Sequence, residues 1–94
     1  MKVEYAPEAE DDLAEALELI AKHNPLAAAN LADRITQLVD RLPAGDFDGP
    51  EVELTSRERV RSWPVSPFRI YYQRRPGLLW IVRIYHQARR PITK

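Results

Sequence analysis

The side chains with chemistry to offer are arginines, and they crowd one half of the chain. Residues 55–94 hold ten of the fourteen Lys and Arg against a single acid, Glu58, whereas residues 1–54 hold thirteen of the fourteen Asp and Glu with only four bases. The formal net charge of zero hides this division. A basic surface attracts phosphate backbones or acidic protein partners, and guanidinium suits phosphate because its planar donors reach two oxygens at once. Arg57, Arg59 and Arg61 alternate with Glu58, Val60 and Ser62, so they share one side of a strand. Together with Arg69, Arg89 and Arg90 they suggest a concave basic surface. His86 stands three residues before Arg89. Among arginines it has the chemistry of a general base or acid toward a ribose 2′-hydroxyl, and at a strand end it reads equally as an ordinary hydrogen-bonding residue. Arg57, Arg59, Arg74 and Arg75 fit edge charges that keep strands from pairing with other chains.

Other chemistries lack their residues. The chain has no cysteine and two histidines, His23 and His86, which gives no disulfide framework and no zinc cluster. There is no glycine-rich phosphate loop, nucleophile elbow or metal motif, so neither a cofactor nor a metal is expected. The first residues lack the apolar core of a signal peptide, and no stretch approaches the ~20 apolar residues of a membrane span. These features predict a cytoplasmic protein with no membrane partner. Ninety-four residues, 45% of them hydrophobic, predict one domain over residues 1–94.

The elements that must carry the arginines are legible from periodicity. Lys2 to Ala6 alternates and reads as a short strand. Pro7, followed by Glu8, Glu10, Asp11 and Asp12, opens a helix to about Lys22, because acids in a first turn complement the helix dipole. Its apolar stripe is Leu13, Ala16, Leu17, Ile20 and Ala21, and the acids cover its solvated side. Asn24 caps a second helix from Pro25 to about Leu42, with Leu31, Ile35, Leu38, Val39 and Leu42 as its stripe. So short a connection predicts an antiparallel helical hairpin. Pro43 to Pro50 reads as a loop, and strands follow at Arg59–Pro64, Phe68–Gln73 and Leu78–His86, the last two joined by a type II turn at Arg75–Leu78. Pro64 ends its strand or places it at an edge. The simplest assembly is an α+β fold, a small single domain of order β-α-α-β-β-β, with an antiparallel sheet and the hairpin packed on one face.

Alternation then divides the side chains. Phe68, Ile70, Tyr72, Leu79 and Ile81, with Arg83 and Tyr85, are expected to face the helices. Arg69, Tyr71 and Gln73, with Leu78, Trp80, Val82, Ile84 and His86, are expected on the open, functional face, and a one-residue slip would reverse the assignment. Tyr71, Trp80, Val82 and Ile84 form the apolar part of that face, which needs a partner to cover it.

Several segments in order, Tyr5-Ala6-Pro7-Glu8-Ala9-Glu10-Asp11-Asp12-Leu13, Asn24-Pro25, Arg61-Ser62-Trp63-Pro64-Val65, Phe68-Arg69-Ile70-Tyr71-Tyr72 and Ile81-Val82-Arg83-Ile84-Tyr85-His86-Gln87-Ala88-Arg89, resemble the RelE/ParE superfamily of bacterial type II toxins. The resemblance covers nearly the whole chain and implies the same fold and a cognate antitoxin that neutralises the toxin in a hetero-oligomer. By motif, Arg69 and Arg89 fall where RelE-like ribonucleases keep functional arginines. The tyrosine those enzymes carry beyond that point has no counterpart here, and the His-Gln-Ala-Arg segment is more similar to the ParE branch.

The resemblance therefore implies a ParE-like toxin that inhibits DNA gyrase by binding, and it favours a protein inhibitor over a catalyst. Its target-binding residues would be Arg61, Arg69, Arg83, His86, Arg89 and Arg90, and Tyr71, Trp80, Val82 and Ile84 would take the antitoxin. The alternative is a metal-independent endoribonuclease acting on mRNA in the ribosome, with Arg69 and Arg89 stabilising charge and His86 moving protons. An inactive homologue that only binds antitoxin is the third reading. Any direct affinity for DNA is expected to be weak and salt-sensitive.

Overall fold

A computed structural model of the chain describes residues 1–94. In chain order it contains β1 (Lys2–Tyr5), α1 (Pro7–His23), α2 (Pro25–Arg41), a 3-10 turn (Leu42–Ala44), β2 (Glu51–Glu53), β3 (Arg59–Val65), β4 (Phe68–Arg75) and β5 (Leu78–His86). Asn24 serves both helices. Its backbone N–H donates to the Ile20 carbonyl and closes α1, while its Oδ1 accepts from Ala27 N at 3.1 Å and opens α2.

The sheet has five strands in the order β1-β5-β4-β3-β2. The α+β class and the helical hairpin on one face are as expected. Two features extend the sequence reading. β1 joins the edge and runs parallel to β5, with Val3 opposite Leu79 and Tyr5 opposite Ile81, so the sheet is mixed. β2 is a short strand just after the Pro43–Pro50 loop, in a stretch the sequence reading left unassigned, pairing antiparallel with β3 from Glu51 opposite Arg61 to Glu53 opposite Arg59. Because β2 reaches only to Arg61, the rest of β3 is an edge, which is where Pro64 is tolerated. At the turn into β5, Gly77 takes φ +69°, the left-handed value a type II turn needs at its third position.

The main core lies between the hairpin and one sheet face. Leu31, Ile35, Leu38 and Val39 of α2 meet Ile70 and Tyr72 of β4 and Leu79, Ile81 and Ile84 of β5, and Leu13, Ala16, Leu17 and Ile20 of α1 close its side. Ala21 is exposed and stands outside the stripe.

One register change decides which residues the sheet displays. Tyr71 lies opposite Arg83 but Tyr72 lies opposite Ile81, so Val82 is an extra residue, a bulge, on β5. Before it, Leu79 and Ile81 face the helices as expected. Beyond it the parity reverses, bringing Ile84 and His86 to the helix side and turning Arg83 and Tyr85 away from it. The assignment of Ile84 and His86 to the open face is thus corrected, and Ile84 is only 2% exposed.

The opposite face is not open either. The last residues fold back over it, with Thr93 bridged to Leu54, Thr55 N donating to the Ile92 carbonyl and Lys94 N to the Glu53 carbonyl. Ile92 packs on a second cluster of Leu54, Val60, Tyr71 and Val82. Tyr71 and Val82 are therefore buried rather than presented to a partner, and Trp80 is half-buried.

Candidate functional site

Three of the singled-out residues meet where β4 begins and β5 ends. Arg69, His86 and Arg89 line a hollow of about 270 Å³ beneath the returning chain, together with Tyr71, Tyr85 and Ile92. Arg69 projects from β4 and donates through Nη2 to the Oγ of buried Ser62 at 3.1 Å. Arg89 lies with its guanidinium 5.5 Å from the Tyr85 ring centre, within cation–π range. Tyr85 in turn donates its hydroxyl to the Arg90 carbonyl at 2.6 Å, fixing the path of the chain beyond the strand. No carboxylate lines this hollow. Burial pushes the Tyr71 hydroxyl to a higher pKa, partly offset by nearby Arg69, so it stays a neutral wall of the site.

His86 is held on both sides. Its ring meets Phe68 edge-on at 5.0 Å, and its Nδ1 accepts from Ala88 N at 3.0 Å. An imidazole that accepts at Nδ1 and is neutral carries its proton on Nε2, so its free nitrogen donates rather than accepts. That arrangement suits binding an anion or carbonyl. It does not suit abstraction of a proton by the neutral ring.

The other nominated arginines lie elsewhere. Arg61 sits toward the opposite end of the sheet, donating to the Gly49 carbonyl at 2.9 Å and paired with Asp48 at 3.4 Å. Arg83 is engaged on α1, its Nε and Nη2 reaching the two Asp12 carboxylate oxygens at 2.7 and 2.9 Å. The hydrogen bonds to Asp12 raise the Arg83 pKa further, against the opposing effect of burial. Asp12 also accepts from Ile84 N at 3.1 Å. Since β1 pairs with β5 only as far as Ile81, this carboxylate caps a strand edge that would otherwise be bare. Asp12 is thus one acid of α1 that does not belong to the solvated face. Arg90 is exposed, with its carbonyl held by Tyr85.

A second concavity runs beside the first, with His86 and Arg89 on the boundary of both. It is a groove of about 640 Å³ between α1 and the end of β5, floored by Ala16, Phe68 and Ile84 and flanked by Glu15 and Glu18. Leu19 stands in it 62% exposed. Leu19 is not among the stripe residues Leu13, Ala16, Leu17, Ile20 and Ala21, and an apolar residue outside the stripe is the signal that could have found this groove.

Sequence reasoning also missed a polar cluster that secures the long connection. Tyr72 donates to Asp48 Oδ1 at 2.5 Å and accepts from Gly49 N at 2.8 Å, while Arg74 Nε donates to Asp48 Oδ2 at 3.1 Å. Burial alone would raise the Asp48 pKa, but the bonds from Tyr72 and Arg74 and the charges of Arg74 and Arg61 outweigh it and hold the carboxyl below its ordinary value. Burial, then the bond to Asp48, pushes the Tyr72 hydroxyl up to about 12. Gly49 is required here, because a Cβ would lie 1.7 Å from the Ser62 carbonyl oxygen.

The chain is thus a helical hairpin packed on one face of a five-stranded mixed sheet, with Arg69, His86 and Arg89 gathered at one sheet end and a groove beside them. Among solved structures, the chain is similar to one described as the chromosomal ParDE toxin-antitoxin system from P. aeruginosa, with a TM-score of 0.74, 21% identity, and coverage of 92% of this chain and 95% of that one. No curated protein matches it. The profile of the family described as the ParE toxin of type II toxin-antitoxin system, parDE, matches residues 3–91. The chain belongs to this ParE toxin family and is the toxin component of a type II system.

Proposed function

We propose that this toxin acts in the cytoplasm by binding DNA gyrase through the sheet end that carries Arg69, His86, Arg89 and Arg90, and that a cognate antitoxin silences it by seating an amphipathic helix in the groove along α1. The observation that carries the target surface is the hollow's lining, which combines fixed guanidiniums and an imidazole with no acid. Such a surface complements an acidic or carbonyl-rich partner without chemistry of its own. For the antitoxin, exposed Leu19 and half-buried Ala16, over a floor closed by Phe68 and Ile84, supply the apolar contact a helix in the groove needs. Arg89 at the rim would meet an acid on the incoming helix, blocking the target surface at the same moment.

The test is expression of the chain alone in cells, with plasmid supercoiling and transcript integrity read together. Loss of supercoiling with intact transcripts is the expected result, relieved by Arg69→Gln with Arg89→Gln. Co-expression of the protein encoded beside it restores growth, and Leu19→Glu weakens that rescue while leaving toxicity in place. Transcript cleavage that His86→Ala abolishes would instead establish the ribonuclease reading.

A further inference from the structure

The proposed target surface uses one end of the sheet, and four more arginines gather at the other. Arg59 and Arg61 of β3 and Arg74 and Arg75 of β4 line a hollow of about 410 Å³ with Asp48 and Glu51. Four guanidiniums against two carboxylates leave it electropositive. Strand alternation treats Arg59, Arg74 and Arg75 as scattered edge charges, but the fold brings them together and orders them. Arg61 donates to the Gly49 carbonyl at 2.9 Å and Arg59 to Glu51 at 3.0 Å. Arg74 reaches Asp48 and the Phe47 carbonyl, and Arg75 reaches the Gln73 side-chain oxygen with two nitrogens. A guanidinium has five N–H donors, and these contacts use one or two of each, leaving held but unsaturated forks.

What the hollow lacks identifies its occupant. Its apolar liners, Val60 and Tyr72, are buried, so a docking peptide would find little apolar surface to cover. It has no free aromatic face for unpaired bases, because Tyr72 is fully buried and the Trp80 ring lies under Arg75 at 5.1 Å. Its two carboxylates, Asp48 and Glu51, are already paired with Arg59, Arg61 and Arg74, so what it has left to offer is an excess of positive charge and N–H donors, the groups that engage a phosphodiester backbone without reading sequence.

We propose that this hollow is a phosphate-backbone site that takes double-stranded DNA. The proposal goes beyond the gyrase reading and is tested without gyrase. Binding of a fluorescent duplex to the purified full-length chain is measured by anisotropy across a salt series. With four phosphate contacts, affinity should fall roughly 150-fold between about 50 and 200 mM salt. Arg59→Gln with Arg75→Gln should flatten the slope of log affinity against log salt by about two contacts. The Arg59 side chain is 74% accessible, Arg75 is exposed, and neither residue holds Asp48, so the fold should survive, checked by circular dichroism. Lys22→Gln, which removes a positive charge from α1, should leave the slope unchanged. Absence of duplex binding at low salt, an unchanged slope in the double variant, tighter binding of single-stranded RNA, or equal competition by an acidic peptide would each overturn the assignment.

Discussion

Replacing Tyr72 with phenylalanine removes one oxygen from a side chain that is fully buried, and the structure allows its cost to be worked out. The hydroxyl donates to a carboxylate at 2.5 Å and accepts from Gly49 N at 2.8 Å. Losing a hydrogen bond to a charged group costs about 1.5–3 kcal/mol, and stranding a buried N–H costs about 1–3 kcal/mol. Asp48 keeps Arg74 and Arg61, which places its share at the lower end. Tyr72→Phe should therefore destabilise the chain by about 3 kcal/mol. In a domain of this size that corresponds to a melting temperature lower by roughly 15 °C.

The pH dependence gives a sharper signature than the size alone. The folded pKa of Asp48 is lowered, so its contribution is present above the unfolded value of about 3.9 and is lost as pH falls through the folded value. Tyr72 is shifted the other way, to about 12, so its contribution is complete below the unfolded value of about 10 and is lost as pH rises toward the folded one. The stability difference between wild type and Tyr72→Phe should be flat from about pH 5 to pH 9 and shrink on both sides. Urea unfolding at a series of pH values measures it. A difference below about 1 kcal/mol at neutral pH, or one that stays constant across the range, would refute the role given to this hydroxyl.

Asp12→Ala should cost about 2–3 kcal/mol, because it strands both the Arg83 guanidinium and Ile84 N, and hydrogen exchange should show the Ile84 amide losing protection ahead of the β4 amides. Asp12→Asn, which keeps an acceptor for Ile84, should recover part of that loss. Ile84→Ala should destabilise by about 3 kcal/mol, well beyond Trp80→Ala, since the bulge puts Ile84 in the main core and leaves Trp80 half-buried. The reverse ranking in a denaturation series would mean that β5 keeps one register throughout.

The helices, their shared cap and the three long strands were readable because each carries its own period and punctuation, from Pro7 and Asn24 to Pro76 and Gly77. β2 was not, because a strand of three residues, Glu-Val-Glu, has no period to detect and exists only through β3. The parallel placement of β1 depends on which edge is free when the sheet forms. The bulge at Val82 was equally hidden, since alternation assumes an unbroken ladder and nothing local in Ile81-Val82-Arg83 announces a slip. That single residue explains most of the misplacement in the site. It sends Ile84 inward and turns Arg83 toward the other face, from which its long side chain reaches around the unpaired edge of β5 to Asp12 of α1. Arg69, His86 and Arg89 do come together, because pairing Phe68 with His86 fixes the start of β4 against the end of β5. Arg61 could not be placed without knowing that Asp48 and Gly49 run beside β3.

The parallel pairing of β1 with β5 has a consequence in time rather than in space. A chain is made from its first residue onward, and β1 has no strand to lie against until residues 78–81 exist. The helical hairpin can pair its own two helices earlier, but the core it closes includes Ile70 and Tyr72 of β4 and Leu79, Ile81 and Ile84 of β5. At ordinary rates of synthesis the interval from β1 to its partner is on the order of ten seconds. During that interval β1 and the helical hairpin lack the sheet they pack on, and the arginine-bearing surface has no scaffold. The sheet end that gathers Arg69, His86 and Arg89 is thus the last part of the molecule that can assemble, because it exists only once β5 is made.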